Sequence, residues 1–328
     1  MGRRAPAPHC TRRIRVMVTT SSQSSPTRSN RLVSKVRRAM AGEGAYWVMV
    51  APLLAFVAAI AIYPLLFSFR ISLFKYRLTD PNQVQTFVGL DNYVRAIQDS
   101  TVLNALQVTL VYVAGTVILE MVLGLGLALL LTSEVRTTRF VRSFLLIPMA
   151  LPPLVVGLVW KSLYNADFGV IPYYLKQLGI GVGRGPLAEL NWAMPAVILI
   201  DIWQWTPLLM IIFLAGIKSL PVEPYEAAYA DGASRWDRFA RITLPLLKPT
   251  ILVALLLRTM QSFKVFDTIY ATTGGGPGSV TTVLNFHIYT VGMTFFDMGY
   301  AAALANVLLV IIALLSALYI MLLERQQL

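Results

Sequence analysis

Residues 107–132 read QVTLVYVAGTVILEMVLGLGLALLLT, and the only formal charge among them is Glu120. At about 1.5 Å per residue a helix of this length exceeds the roughly 30 Å of a bilayer's hydrocarbon core. The stretch predicts a membrane span. Five more stretches pass the same test at 46–68, 143–163, 192–217, 250–273 and 299–323. The first and last carry no charge, and the others hold isolated ionisable groups: Lys161, Asp201, Arg258, Lys264 and Asp267, besides Glu120. Charges at membrane depth are costly and face a bundle interior or a wet path. The expected fold class is all-α, a polytopic membrane protein with six transmembrane helices over 46–328.

Composition agrees. Of 328 residues, 56% are hydrophobic and 13% charged, about half the charged fraction of a soluble domain. The net charge of +12 does not indicate nucleic acid, because the basic residues are scattered between apolar runs. One cysteine, Cys10, excludes an intrachain disulfide, and with His9 and His287 as the only histidines a Cys/His metal cluster is not expected. Residues 1–45 hold ten of the 28 basic residues around a Ser/Thr-rich centre and predict a disordered basic tail. Residues 14–18 are too short an apolar run for the core of a secretory signal.

Orientation follows from the basic residues. With the N-terminus cytoplasmic, inside segments hold 19 Lys and Arg and outside segments six. The positive-inside rule therefore places both termini in the cytoplasm.

The loop 218–249, KSLPVEPYEAAYADGASRWDRFARITLPLLKP, then lies inside. Pro224 opens a helix with Glu226 in its first turn, and Asp231-Gly232 breaks it. Ser234-Arg235-Trp236-Asp237 is an S-x-x-D cap for a second short helix, with Trp236, Phe239, Ala240 and Thr243 on one face. Pro245 and Pro249 are expected to close that helix. The result is a helix-turn-helix knob under the bundle.

Glu226-Ala227-Ala228, Asp231-Gly232-Ala233 and Ile242-Thr243-Leu244-Pro245 together resemble the EAA loop of ABC-importer permeases. The likeness extends over about 45–325 and is nearest to the carbohydrate branch, on the side of the maltose-type first partner. Its carriers are Phe87-Val88-Gly89-Leu90-Asp91-Asn92-Tyr93, Leu146-Ile147-Pro148, Val159-Trp160-Lys161, Trp203 to Pro207, Phe266-Asp267 and Thr273-Gly274-Gly275-Gly276-Pro277. The resemblance implies a prokaryotic cytoplasmic-membrane subunit working with a second permease as a heterodimer, two ATP-binding subunits and an extracytoplasmic solute-binding protein. It implies that Glu226, Ala227, Ala228, Asp231, Gly232, Ile242, Leu244 and Pro245 form the coupling surface for the ATPase. The chain has no G-x-x-x-x-G-K-[ST] phosphate loop, so ATP and Mg are expected on the partner, with no catalytic residue or cofactor here.

On the fifth span, Arg258, Gln261, Ser262 and Val265 share one stripe and offer hydrogen bonds to sugar hydroxyls. Trp203 and Trp205 offer ring faces for a sugar. Glu120 is expected to join helices, and Lys264 and Asp267 to pair with each other. Gly274, Gly275, Gly276 and Pro277 are expected at the external mouth. The leading reading is import of a carbohydrate. The runner-up is a glycerol-phosphate-type solute countered by Arg258, and a self-contained secondary transporter is the competing class.

Overall fold

The computed structural model describes residues 2, 43–80, 85–132, 136–181 and 183–324. The basic tail lies outside the described residues apart from Gly2 and its last three residues. Two units divide the chain, Met1–Pro64 and Leu65–Leu328. Helix α1, Glu43–Ser72, carries the first expected span. Its apolar side chains, Leu53, Phe56 and Ile60 among them, are exposed, as suits a face that meets lipid or a partner.

In the second unit, a two-residue hairpin of β1 (Phe74–Lys75) and β2 (Thr86–Phe87) pairs Phe74 with Phe87. Asn92, at the start of α2 (Asp91–Gln98), donates to the carbonyls of Ser72 and Phe74 at 2.8 and 3.0 Å. That bond explains why an Asn follows the hairpin in the stretch 87–93. Helix α3, Ser100–Leu130, is capped by Asp99, which accepts from the Thr101 amide. Its buried positions, from Val102 and Ala105 through Thr109, Tyr112, Thr116 and Glu120 to Ala128, recur at three and four residues, so one stripe faces the bundle.

The third expected span is not straight. Helices α4 (Arg136–Leu145), α5 (Ile147–Ala150) and α6 (Pro153–Leu163) replace it, with a 96° bend between Phe140–Ala150 and Pro153–Leu163. The cause is local. Leu151 precedes Pro152, which precedes Pro153, and a residue before proline is pushed out of the helical region. Leu151 and Pro152 are extended, and the carbonyl freed at Leu151 accepts from Gln204 Nε2 at 3.0 Å.

After helix α7 (Val170–Gln177), α8, Ala193–Lys218, is the most buried span and packs along α3. The loop helices follow as α9 (Glu223–Ala230) and α10 (Arg235–Arg238), then a π turn at Phe239–Thr243 leading into α11 (Leu244–Phe263). Pro245 and Pro249 do not close the second loop helix: residues Arg235–Phe263 run as one 29-residue helix. The Leu244 amide already bonds five residues back, to the Phe239 carbonyl, and this widened turn takes in a proline ring where a regular turn would clash.

The expected fifth span also stops short. Helix α11 ends at Phe263, and Lys264 and Phe266 leave helical geometry before α12 (Asp267–Thr272). Helix α13 (Leu284–Tyr289), a second π turn (Thr290–Thr294) and the last span, α14 (Met298–Glu324), complete the chain. The molecule is thus a mostly helical polytopic membrane protein, with five helices long and apolar enough to cross a membrane and one bent pair among the described residues.

Candidate functional site

The loop at the start of α11 is built by its own sequence. Pro224 sits in the first turn of α9, with Glu223 and Glu226 beside it, where carboxylates meet the positive end of the helix dipole. The helix ends at Ala230 with Asp231 as its cap, and Gly232 follows with a φ of +73° that suits glycine far better than a side chain. The Gly232 amide donates to the Tyr229 carbonyl at 3.1 Å and the Ala233 amide to Ala228 at 2.9 Å, the paired bonds of a Schellman motif. Ser234 then caps the next helix, accepting from the Asp237 amide at 3.1 Å. Glu226, Ala227, Asp231 and Gly232 are exposed on this knob, Ala228 and Ile242 are half-buried, and Leu244 and Pro245 are exposed on the continuing helix.

Tyr225, which the sequence reading passed over, and Thr243, placed there only on a helix face, fasten the knob. Tyr225 donates its hydroxyl to Thr243 Oγ1 at 3.0 Å, and Thr243 donates to the Arg238 carbonyl at 3.3 Å. Both bonds meet at the π turn. Trp236 and Tyr229 are largely exposed, with the Trp236 ring 5.5 Å from Phe239. Exposed aromatics on an otherwise charged loop were the available signal.

At the other end of α11 a cavity of about 200 Å³ opens. Arg258, Gln261, Ser262, Val265 and Trp205 all line it, together with Asp201, Lys264 and Asp267. Trp203 does not: it is 42% exposed and packs edge-on against Trp160 at 5.7 Å. No ion pair joins Lys264 to Asp267 among the described residues; the helix break between them sets them apart, and the Lys264 carbonyl accepts from Asn285 Nδ2 at 2.9 Å.

Arg258 is not a free cation. Its Nε and Nη2 donate to both carboxylate oxygens of Glu120, the second at 2.9 Å, and Nη2 also donates to Asp201. Each of the three residues is at most 3% exposed. They come from α11, α3 and α8, so one guanidinium ties three spans. Glu120 joins helices here, and Asp201 is the partner the sequence reading left unassigned. Opposite charges stranded on three spans were the signal for it. The guanidinium also lies 5.7 Å from the Trp205 ring, within reach of a cation–π contact. Ser262 shares a hydrogen bond with Thr116 at 3.2 Å.

The glycine run 274–276 forms a tight turn. Gly275 has φ of +88°, and a Cβ there would meet Thr282 Oγ1 at 2.7 Å. Thr282 donates to the Gly275 carbonyl and Thr281 to that of Gly276, at 2.9 and 2.7 Å. Gly276 and Pro277 line a separate cavity of about 460 Å³ with Lys161, Asn165 and Arg184.

Residues 120–327 match the family described as binding-protein-dependent transport system inner membrane component. The trehalose/maltose transport system permease protein MalF of Thermococcus litoralis is 36% identical over 300 residues, 89% of this chain and 97% of that one. The sulfoquinovosyl glycerol transport system permease protein SmoG of Agrobacterium fabrum is 36% identical over 277 residues, 83% and 88% of the two chains. A chain from a bacterial ABC transporter involved in import of the acidic polysaccharide alginate shares the fold, with a TM-score of 0.75 at 22% identity over 90% of this chain and 99% of that one. By sequence over most of its length, this chain belongs to the inner membrane components of binding-protein-dependent transport systems.

Proposed function

We propose that this chain is one half of the membrane path of an ATP-driven importer that takes up a carbohydrate delivered by an extracytoplasmic binding protein. The observation that carries the reading is the single helix Arg235–Phe263. It begins in the exposed knob and ends in the wall of the polar cavity. From Arg235 to Arg258 it spans roughly 35 Å at about 1.5 Å per residue. A push on the knob by an ATPase that closes on nucleotide is carried by a rigid element to the cavity, which exchanges outward for inward access. Glu226 offers a charge to that partner, and Ala227 and Gly232 let it approach closely. The 19-to-6 basic bias supports a cytoplasmic knob and cytoplasmic termini.

The cavity has hydrogen-bonding groups beside an aromatic ring, the lining that a polyhydroxylated solute needs. At about 200 Å³ it is smaller than the roughly 300–1,000 Å³ of ligand pockets, which supports a second permease subunit supplying the facing wall. Trehalose/maltose and sulfoquinovosyl glycerol are named for two relatives, and both contain a sugar.

The test is uptake of labelled trehalose and maltose into vesicles holding the complete complex, with and without ATP inside. Uptake that requires ATP and stops in Gly232→Asp is the expected result. ATP-independent uptake overturns the reading in favour of a secondary transporter.

A further inference from the structure

The Glu120–Arg258–Asp201 triad holds two carboxylates against one guanidinium, a formal charge of −1 at the cavity wall. All three side chains are buried, so salt screens them weakly. The remaining charges of the lining, Lys264 and Asp267, cancel. An anionic group entering the cavity therefore meets a cation already held by two carboxylates. Gln261 adds a second observation. Its side-chain carbonyl is buried with no hydrogen-bond partner among the described residues, an acceptor that a hydroxyl satisfies and a phosphate or carboxylate without a proton does not.

Resting on the reading of this cavity as part of a solute path, we infer that Glu120 and Asp201 are charge-selectivity residues. They hold the Arg258 charge so that the cavity accepts uncharged polyhydroxylated solutes and turns away phosphorylated or carboxylated ones. This separates the two substrate readings: Arg258, the cation expected to counter a phosphate, is occupied by two carboxylates.

The local potential can be read without any substrate. In a Cys10→Ser chain, the thiol of Gln261→Cys is the only one present. The complete complex in membranes is treated with methanethiosulfonates that are cationic (trimethylammonium-ethyl), anionic (sulfonatoethyl) or neutral (methyl), each rate being divided by that of the same reagent with free 2-mercaptoethanol. With the triad intact, the cationic reagent is expected to react about tenfold faster than the anionic one, and Glu120→Gln with Asp201→Asn to lower that ratio by about tenfold or more. The neutral rate should stay unchanged. A faster anionic reaction with the triad intact overturns the inference even if the carboxamide variants fail to assemble. So does a ratio that those variants leave unmoved. Absence of neutral labelling at both Gln261→Cys and Val265→Cys overturns it too, since no wet cavity would exist. Failure of trehalose or maltose uptake, by contrast, bears on the carbohydrate reading and leaves the rate ratio standing.

Discussion

The Tyr225 hydroxyl donates to Thr243 Oγ1 across 3.0 Å, and this one bond fastens the first loop helix to the π turn through which the second becomes a membrane span. Tyr225→Phe removes it while keeping the ring, at a cost of about 0.5–1.5 kcal/mol. Assembly with the ATPase should survive, and solute moved per ATP hydrolysed should fall. A wild-type ratio in the variant would separate this bond from coupling.

Gly232 has open space around the position of a Cβ, so Gly232→Asp meets no steric clash within the chain. The left-handed backbone costs a non-glycine residue about 1–2 kcal/mol, and Asp tolerates it better than most. The variant should insert and express near normally yet lose transport, because the new charge stands on the exposed turn. Normal uptake together with normal ATPase co-purification would remove the turn from the partner surface.

Removing the guanidinium leaves two buried carboxylates facing each other. Arg258→Leu should destabilise the chain by about 3–5 kcal/mol, whereas Arg258→Leu combined with Glu120→Leu and Asp201→Leu should recover most of that. Thermal unfolding in detergent checks this. A triple variant no more stable than Arg258→Leu alone would mean that packing, and not uncompensated charge, governs the site.

His287 in α13 lies outside the spans, and its Nε2 has no hydrogen-bond partner among the described residues. Burial lowers its pKa from the ordinary 6.5, and the Asp99 carboxylate only partly opposes that shift. The unfolded chain therefore binds this proton more readily than the folded one. Its effect is absent well above pH 6.5, and stability falls as pH drops through 6.5 towards the lower folded value. Tm measured from pH 7.5 to 5.5 should decline, and His287→Gln should flatten that decline. An unchanged slope in the variant would exclude the residue as its source.

Leu178 and Trp236 are both largely exposed and fall on opposite sides in the proposed orientation. In a Cys10→Ser chain, a membrane-impermeant thiol reagent added outside intact cells should label Leu178→Cys and spare Trp236→Cys. The reverse pattern would invert the topology.

Long apolar runs marked the chain as a polytopic membrane protein, because a membrane helix satisfies its own backbone and needs only length and hydrophobicity. They misplaced the fifth span, whose helix runs Arg235–Phe263 and not 250–273. The knob was legible. Pro224, Gly232 and Ser234 act on the backbone beside them, and local rules suffice for local geometry.

Proline was harder to read because its effect depends on what surrounds it. Leu151-Pro152-Pro153 falls inside the expected span 143–163 and bends it by 96°, with Gln204 taking up the freed carbonyl. Pro245 and Pro249 are expected as stops and are carried inside a helix, Pro245 directly after the widened turn Phe239–Thr243.

The sequence by itself determined that the chain is helical, crosses a membrane several times and bears an exposed loop of a recognisable pattern. Only the tertiary structure decided that Glu120, Asp201 and Arg258 form one ionic group and that Trp203 stays off the cavity while Trp205 lines it. These residues lie on three helices up to 138 positions apart. Which faces meet depends on how whole helices rotate and pack, and no local stretch of sequence encodes that rotation.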